Sequence, residues 1–308
     1  MRSTHPDRRS VALGLVAGAF VAPTLVRAQM HAPAAVQRIE DVPDSVLAAS
    51  SDVSDRVTVP VTVNGRGPFP FIVDTGSTTT VVSDALAAQL RLPGAGNLLV
   101  KAATGPVESS GVRVESLAVG GRRFSDMHMP VLARQNIGGL GILGIDAVSR
   151  QKLVMDFRAN QMLLTTSSRR GEDPMAIVVT AKSKYGQLLL VDAEVEGMPI
   201  YVILDTGSQL TIGNLTMREM LERHRAQYEV EVTSVTGGSV TAPIGLLRHV
   251  GLGHLGVSDL RVAYSDLYTF DQFDLHDKPA MLLGMDTLRR FARVSVDFPA
   301  REVRFSLA

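Results

Sequence analysis

The sequence predicts an all-β protein built as two similar lobes with few short helices, and three observations predict it. The tetrad Asp-Thr-Gly-Ser occurs twice, at 74–77 and 205–208, an offset of 131 residues. Landmarks after each tetrad keep step: Thr104-Gly105 lies 30 residues after Asp74 and Thr236-Gly237 lies 31 after Asp205. Further on, Ile142-Leu143-Gly144-Ile145-Asp146 matches Leu282-Leu283-Gly284-Met285-Asp286, and Met155-Asp156-Phe157 matches Val296-Asp297-Phe298. Finally, each half consists of short strands separated by turn residues, with no alternation of strand and long helix, which excludes a βαβ sheet.

In chain order, residues 1–28 precede the fold. Arg8 and Arg9 stand before an apolar run, Val11 to Val26, and Val26-Arg27-Ala28 offers a small residue for cleavage, so the segment reads as a cleavable signal peptide for export to the periplasm or secretion. The run holds Pro23 and Thr24 and falls short of the roughly 20 apolar residues a spanning helix needs, so no stable membrane insertion is expected. Sec and twin-arginine routes both stay open. Residues 29–55 are polar, acidic and Ala-rich and read as an N-terminal extension or pro-segment.

The first lobe is assigned to 56–168. Val57 to Val63 alternates apolar and polar residues into an Asn64-Gly65 turn, and Phe69 to Val73 forms the strand that enters the first tetrad. Residues 169–186 read as the link, and 187–308 as the second lobe. There Leu188 to Val195, the Glu196-Gly197 turn and Ile200 to Leu204 repeat the arrangement. Helices are expected at Ser83 to Leu90, at Asn214 to Arg225 with Asn214 as N-cap, and just after Gly144 and Gly284.

Composition narrows the chemistry. The chain has 308 residues, enough for two cores, with 31 basic and 31 acidic side chains. It lacks the basic stripe that a nucleic-acid partner requires. With no cysteine, disulfides, thiolate nucleophiles and Cys-ligated zinc are impossible, which leaves oxygen and imidazole groups. No cofactor is implied.

A single Asp-Thr-Gly-Ser is an ordinary turn sequence. Two copies, each closing a run of five apolar residues, are different, because a buried strand ending in a carboxylate is costly unless the carboxylate has a purpose. A duplicated loop brought together about a twofold axis sets Asp74 beside Asp205. Two adjacent carboxylates share one proton and titrate as a unit, giving a base and an acid in one place. Gly76 and Gly207 let each loop pass close to its partner. Thr75 and Thr206 are expected to hydrogen-bond across to the opposite loop. Ser77 and Ser208 are expected to donate to the outer carboxylate oxygens, favouring the ionised form and an activity optimum below neutrality.

The repeated tetrad with its downstream Ile-Leu-Gly and Leu-Leu-Gly resembles the pepsin and retropepsin superfamily of aspartic proteases over roughly residues 56–308. The resemblance implies two retropepsin-like β-barrel lobes about a pseudo-twofold axis, with Asp74 and Asp205 catalytic. It also implies that the segments at Gly144 and Gly284 pass behind the active loops, and that β-hairpin flaps centred near Thr104-Gly105 and Thr236-Gly237 bind substrate. The first flap region, Val100 to Val114, lacks the tyrosine of pepsin-type enzymes, so the closer likeness is a tandem, single-chain version of retropepsin lobes found in exported bacterial proteins. The implied activity is aspartic endopeptidase, a hydrolase acting on peptide or protein, as a monomer with an internal pseudo-dimer. The rival readings are a non-catalytic peptide-binding protein of the same fold, and a dimer in which each chain uses one tetrad. With no obvious charged specificity residue in either flap, apolar side chains are expected on both sides of the scissile bond.

Other motifs carry less. Gly139 to Gly144 fits G-x-G-x-x-G, but no βαβ context surrounds it and the second half keeps only the last glycine. His249 and His254, or Asp271, Asp274, His276 and Asp277, have no ligand spacing and read as loop polar residues, so no metal is expected. Asp146, Asp286, Asp156 and Asp297 read as helix-capping and turn residues.

Overall fold

A computed structural model describes residues 45–48, 50–51, 57–120, 122–168, 173–221 and 228–307. The signal-peptide reading of residues 1–28 lies outside them. No helix among the described residues is long and apolar enough to cross a membrane.

The first lobe opens with β1 (Ser45–Ala48), β2 (Ser50–Ser51), β3 (Val57–Val63) and β4 (Arg66–Val73). Asn64 and Gly65 join β3 to β4 with φ of 48° and 72°, the left-handed pair that matches a tight hairpin to strand twist. The period-2 pattern turns Val59, Val61 and Val63 into the core. Next come β5 (Val81–Ser83), α1 (Asp84–Leu90), β6 (Gly94–Ala102), β7 (Gly105–Val119) and β8 (Arg122–Leu132). The lobe ends with α2 (Arg134–Ile137), β9 (Gly141–Leu143), α3 (Ile145–Val148), β10 (Lys152–Asp156) and β11 (Gln161–Thr165).

The second lobe repeats this plan. It comprises β12 (Ile177–Lys184), β13 (Gln187–Val195), β14 (Met198–Leu204), β15 (Ile212–Gly213), α4 (Leu215–Met220), β16 (Tyr228–Thr233), β17 (Ser239–Leu252) and β18 (Leu255–Tyr264). After them follow α5 (Tyr268–Gln272), β19 (Ala280–Leu283), α6 (Met285–Leu288), β20 (Arg293–Asp297) and β21 (Glu302–Ser306). In each lobe six strands close into a barrel. The orders are β3-β4-β9-β5-β8-β7, closed by β3 on β7, and β13-β14-β19-β15-β18-β17, closed by β13 on β17. Closure removes the exposed edges that an open sheet of this size would present.

Beneath the barrels one sheet joins the lobes in the order β1-β11-β10-β20-β21-β12. Its centre is the antiparallel pair β10 and β20, where Asp156 faces Arg293 at one end and Lys152 faces Asp297 at the other. Buried side chains of both barrels and of this sheet form one continuous core.

Two boundaries differ from the sequence expectation. Ile177–Lys184 lies in the stretch read as a link, yet it is a strand whose first half pairs with β21 and whose second half pairs with β13. Ser45–Ser51 lies in the stretch read as an extension, yet β1 pairs with β11 and β2 with β3. The two strands are repeat partners, since shifting β1 by 131 residues lands on β12. β1 and the first half of β12 find their partners, β11 and β21, more than a hundred residues away, so no local turn signals those pairings. The helix expected at 214–225 is shorter, Leu215–Met220, with residues 222–227 outside the described range.

Candidate active site

Each tetrad hangs between a strand and the segment behind it. Parallel pairing sets β4 beside β9 and β14 beside β19, and the amides of Asp74 and Asp205 donate to the carbonyls of Leu143 and Leu283, both at 3.1 Å. The Ile-Leu-Gly and Leu-Leu-Gly segments therefore do pass behind the two loops. Gly144 is required there because a Cβ would come within 2.7 Å of the Thr79 backbone.

The tetrads meet at the interface between the lobes and brace one another. Thr75 N donates to Thr206 Oγ1 at 3.0 Å, and Thr206 N donates to Thr75 Oγ1 at 3.1 Å. Each hydroxyl then donates to the carbonyl preceding the opposite aspartate, Thr75 to Leu204 at 3.1 Å and Thr206 to Val73 at 2.8 Å. Both threonines are buried. Every polar atom in this exchange is satisfied without water, so it can locate two loops on different lobes.

The two aspartates face each other across this brace, and their side chains hydrogen-bond. A Cβ on Gly76 would come within 2.6 Å of Asp205 Oδ1, and one on Gly207 would collide with the Asp74 carboxyl carbon. Asp74 Oδ1 accepts from the amides of Gly76 at 2.8 Å and Ser77 at 3.0 Å. Asp205 Oδ1 accepts from Gly207 at 2.9 Å and Ser208 at 3.1 Å. Burial first, and then the charge of Asp74, push the Asp205 carboxyl up to about 8, against the lowering effect of those two amides.

The serine hydroxyls do not reach the carboxylates, contrary to the sequence expectation. Ser77 Oγ donates to Thr79 O at 2.8 Å and Ser208 Oγ to Leu210 O at 2.7 Å. The loop turns so that the backbone amides of these serines, rather than their hydroxyls, address the aspartates. The hydroxyls brace the loop two residues on.

Four residues escaped the sequence reading. Thr80 and Thr211 share the 131-residue offset that could have revealed them. The Thr80 amide and hydroxyl donate to Asp146 at 2.9 and 2.6 Å, and those of Thr211 donate to Asp286 at 3.1 and 2.7 Å. Asp146 and Asp286 thus tie the far end of each tetrad loop to the first turn of α3 or α6, whose N-cap positions are Gly144 and Gly284. Although Asp146 is exposed as a residue, desolvation of its carboxyl outweighs the Thr80 hydrogen bonds and holds it above its usual range. Asp156 and Asp297 accept from the amides of Ala159 and Ala300, each three residues on, which is turn formation.

The third missed residue is Gln187, buried at the start of β13. Its amide donates to the carbonyls of Gly76 and Thr75, so the second lobe holds the first lobe's loop directly. The fourth is Lys101, on the flap strand β6, which lines the cleft. It is a charged residue where the sequence reading saw none.

Two hairpins close over the aspartates. In the first, β6 and β7 turn through Ala103-Thr104. In the second, β16 and β17 turn through residues 234–238, with Thr236 and Gly237 at the tip. Each tip crosses to the other lobe. Ala103 O accepts from Tyr268 N at 2.7 Å, and Ala103 packs against the Phe270, Phe273 and Leu267 cluster of the second lobe. Val235 packs against the Val81, Leu132, Ile137 and Ile142 cluster of the first lobe. The tips also touch: a Cβ on Gly238 would come within 2.8 Å of Thr104 Oγ1.

Groups outside the cleft have ordinary partners. His276 Nδ1 lies 3.1 Å from Asp271, Asp274 pairs with Lys184, and His249 and His254 are exposed. Among the described residues no cluster of His, Cys, Asp or Glu could hold a metal ion. Gly139 to Gly144 runs from α2 through β9 to the N-cap of α3, a four-residue helix.

No curated protein matches the chain. The family model described as aspartyl protease matches residues 59–147 and again 191–287, together more than half of the sequence and one stretch in each lobe. With a tetrad in each matched stretch and the two braced into one centre, the chain belongs to the aspartyl protease family, as two retropepsin-like lobes in tandem.

Proposed function

We propose that the protein is an exported aspartic endopeptidase in which Asp74 and Asp205 are the catalytic dyad of a single chain. The observation that carries this reading is the pair itself: two carboxyl groups hydrogen-bonded to each other, one held up to about 8, at the floor of a cleft between two flaps. Up to about 8 the Asp205 carboxyl keeps its proton. The ionised member takes a proton from a water held between the two groups, and that water attacks the scissile carbonyl. The protonated member donates to the carbonyl oxygen and afterwards helps protonate the departing amine.

Substrate binding needs the flaps to part. The closed cleft holds a cavity of about 130 Å³, well under the roughly 300–1,000 Å³ typical of ligand sites. Val81 and Ile142 on one side and Ile212 and Leu282 on the other give apolar walls, which favours apolar side chains flanking the bond. The Arg8-Arg9 pair and the apolar run after it support export through a cleaved signal peptide to the periplasm or beyond.

Digestion of a complex peptide mixture by the purified mature chain, with cleavage sites read by mass spectrometry, tests the reading. The expected result is cleavage between apolar residues by a species that elutes as a monomer on gel filtration. Tight peptide binding without cleavage between pH 3 and 8 would make the protein a peptide-binding module. Activity confined to a dimer would mean that tetrads pair between chains.

A further inference from the structure

The two flaps can be laid over each other residue by residue. Val100-Lys101-Ala102-Ala103-Thr104-Gly105 corresponds to Val232-Thr233-Ser234-Val235-Thr236-Gly237, and Lys101 and Thr233 occupy the same place, both lining the cleft. Among the described residues that line the cleft, Lys101 is the one charged side chain besides the two aspartates. A cleft that is twofold symmetric at its floor is therefore positive at one end and neutral at the other.

The lysine is positioned by a ring of the opposite lobe. Its ammonium sits 5.7 Å from the ring centroid of Tyr185, in the β12–β13 turn of the opposite lobe. Lys184 lies 5.6 Å from the same centroid, but its charge is met by Asp274. Among the described residues Lys101 has no acidic partner. A cation over an aromatic face gains a modest attraction and loses some of its freedom, which holds the charge at the mouth of the cleft.

Resting on the peptidase reading, we propose that Lys101, supported by Tyr185, forms a subsite for a carboxylate of the substrate peptide, an Asp or Glu side chain on one side of the scissile bond only. A peptide has direction and a twofold cleft does not. The lysine supplies the direction, setting which way the chain lies across the dyad. Lys101 is exposed, so the preference is modest, about two- to fivefold in kcat/KM, and it shrinks as salt is raised.

The test uses two peptide series on one efficiently cleaved sequence, in which each position on either side of the bond carries Glu or Gln in turn. The expected result is a Glu-over-Gln preference at one or two positions on a single side, abolished in Lys101→Met and reversed to Gln over Glu in Lys101→Glu. Equal preference on both sides, or one that persists in Lys101→Met, overturns the subsite. If wild type cleaves no peptide at all, the peptidase reading fails on its own terms. Binding of the same Glu and Gln peptides by fluorescence anisotropy, to wild type and Lys101→Met, then decides the subsite, with no difference between the variants overturning it.

Discussion

The two lobes agree where they touch the aspartates and diverge with distance from them. At the floor the agreement extends to single hydrogen bonds: the crossed threonine brace, the paired amides on each Oδ1 and the threonine tied to an aspartate behind the loop all occur twice. A shared proton demands that two carboxyl groups sit at one distance and orientation, and a symmetric brace meets that demand. Away from the floor the demand lapses. Lys101 on the first flap has Thr233 as its repeat counterpart on the second, and the apolar cluster under the first flap's tip carries phenylalanines that the other lacks. On the proposed reading, symmetry at the floor serves the shared proton, and asymmetry away from it is free to serve the substrate.

The largest expected effect comes from pushing the loops apart. Gly76→Ala and Gly207→Ala each place a methyl against the opposite carboxyl group, so each should lower kcat/KM by at least about a hundredfold, since misplacement by about 1 Å is enough for that loss. Peptide hydrolysis by the two variants measures it. A large loss in one variant and normal activity in the other would break the symmetry claimed for the floor.

Next is the tie behind each loop, where the lobes differ by one hydroxyl. Thr211 Oγ1 also meets Thr287 Oγ1 at 2.7 Å, while the first lobe has Ala147 at the matching place. Thr80→Val should cost about 1 kcal/mol of stability, because Asp146 loses the hydroxyl donor. Thr211→Val should cost less, because Thr287 can turn to Asp286. Urea melts of both variants would show it, and equal costs would mean Thr287 gives no support.

Protonation follows. The folded protein holds a proton on Asp205 up to about 8, whereas the unfolded chain releases it near 3.8. This group's contribution to stability therefore falls as pH rises from about 4 to about 8 and is level above that. Asp205→Asn should flatten the corresponding part of a Tm-against-pH curve, and wild-type kcat/KM should decline on the alkaline side near 8. A variant whose curve parallels the wild type across this window would refute the shifted carboxyl.

How much was legible in the sequence follows from the same contrast. The duplication exposed the tetrads and the two similar β lobes, because landmarks such as Gly144 and Gly284 recur wherever a Cβ would strike the loop, while the barrels and flaps came from the family resemblance. The strand β1 and the first half of β12 stayed hidden, because each pairs with a strand far along the chain. The destination of the Ser77 and Ser208 hydroxyls depends on how the loop turns, which composition does not encode. Lys101 reads as an ordinary surface lysine until the hairpin folds over the cleft.

The smallest effect belongs to those serines. Because Ser77 Oγ and Ser208 Oγ serve the carbonyls of Thr79 and Leu210, the double Ser→Ala variant should leave the acidic limb of kcat/KM where it is. Its stability should fall by about 1 kcal/mol per lost hydrogen bond. A shift of the acidic limb would return the hydroxyls to the carboxylates.

The central claim, that one chain carries one dyad with a member from each lobe, is tested most directly by Asp74→Asn, Asp205→Asn and the double variant, assayed on one peptide with folding checked by circular dichroism. The account predicts that each single variant loses several orders of magnitude in kcat and that the double variant is little worse than either, because the two groups act as a unit. Near-normal activity in either single variant, or losses that add in the double, would contradict it.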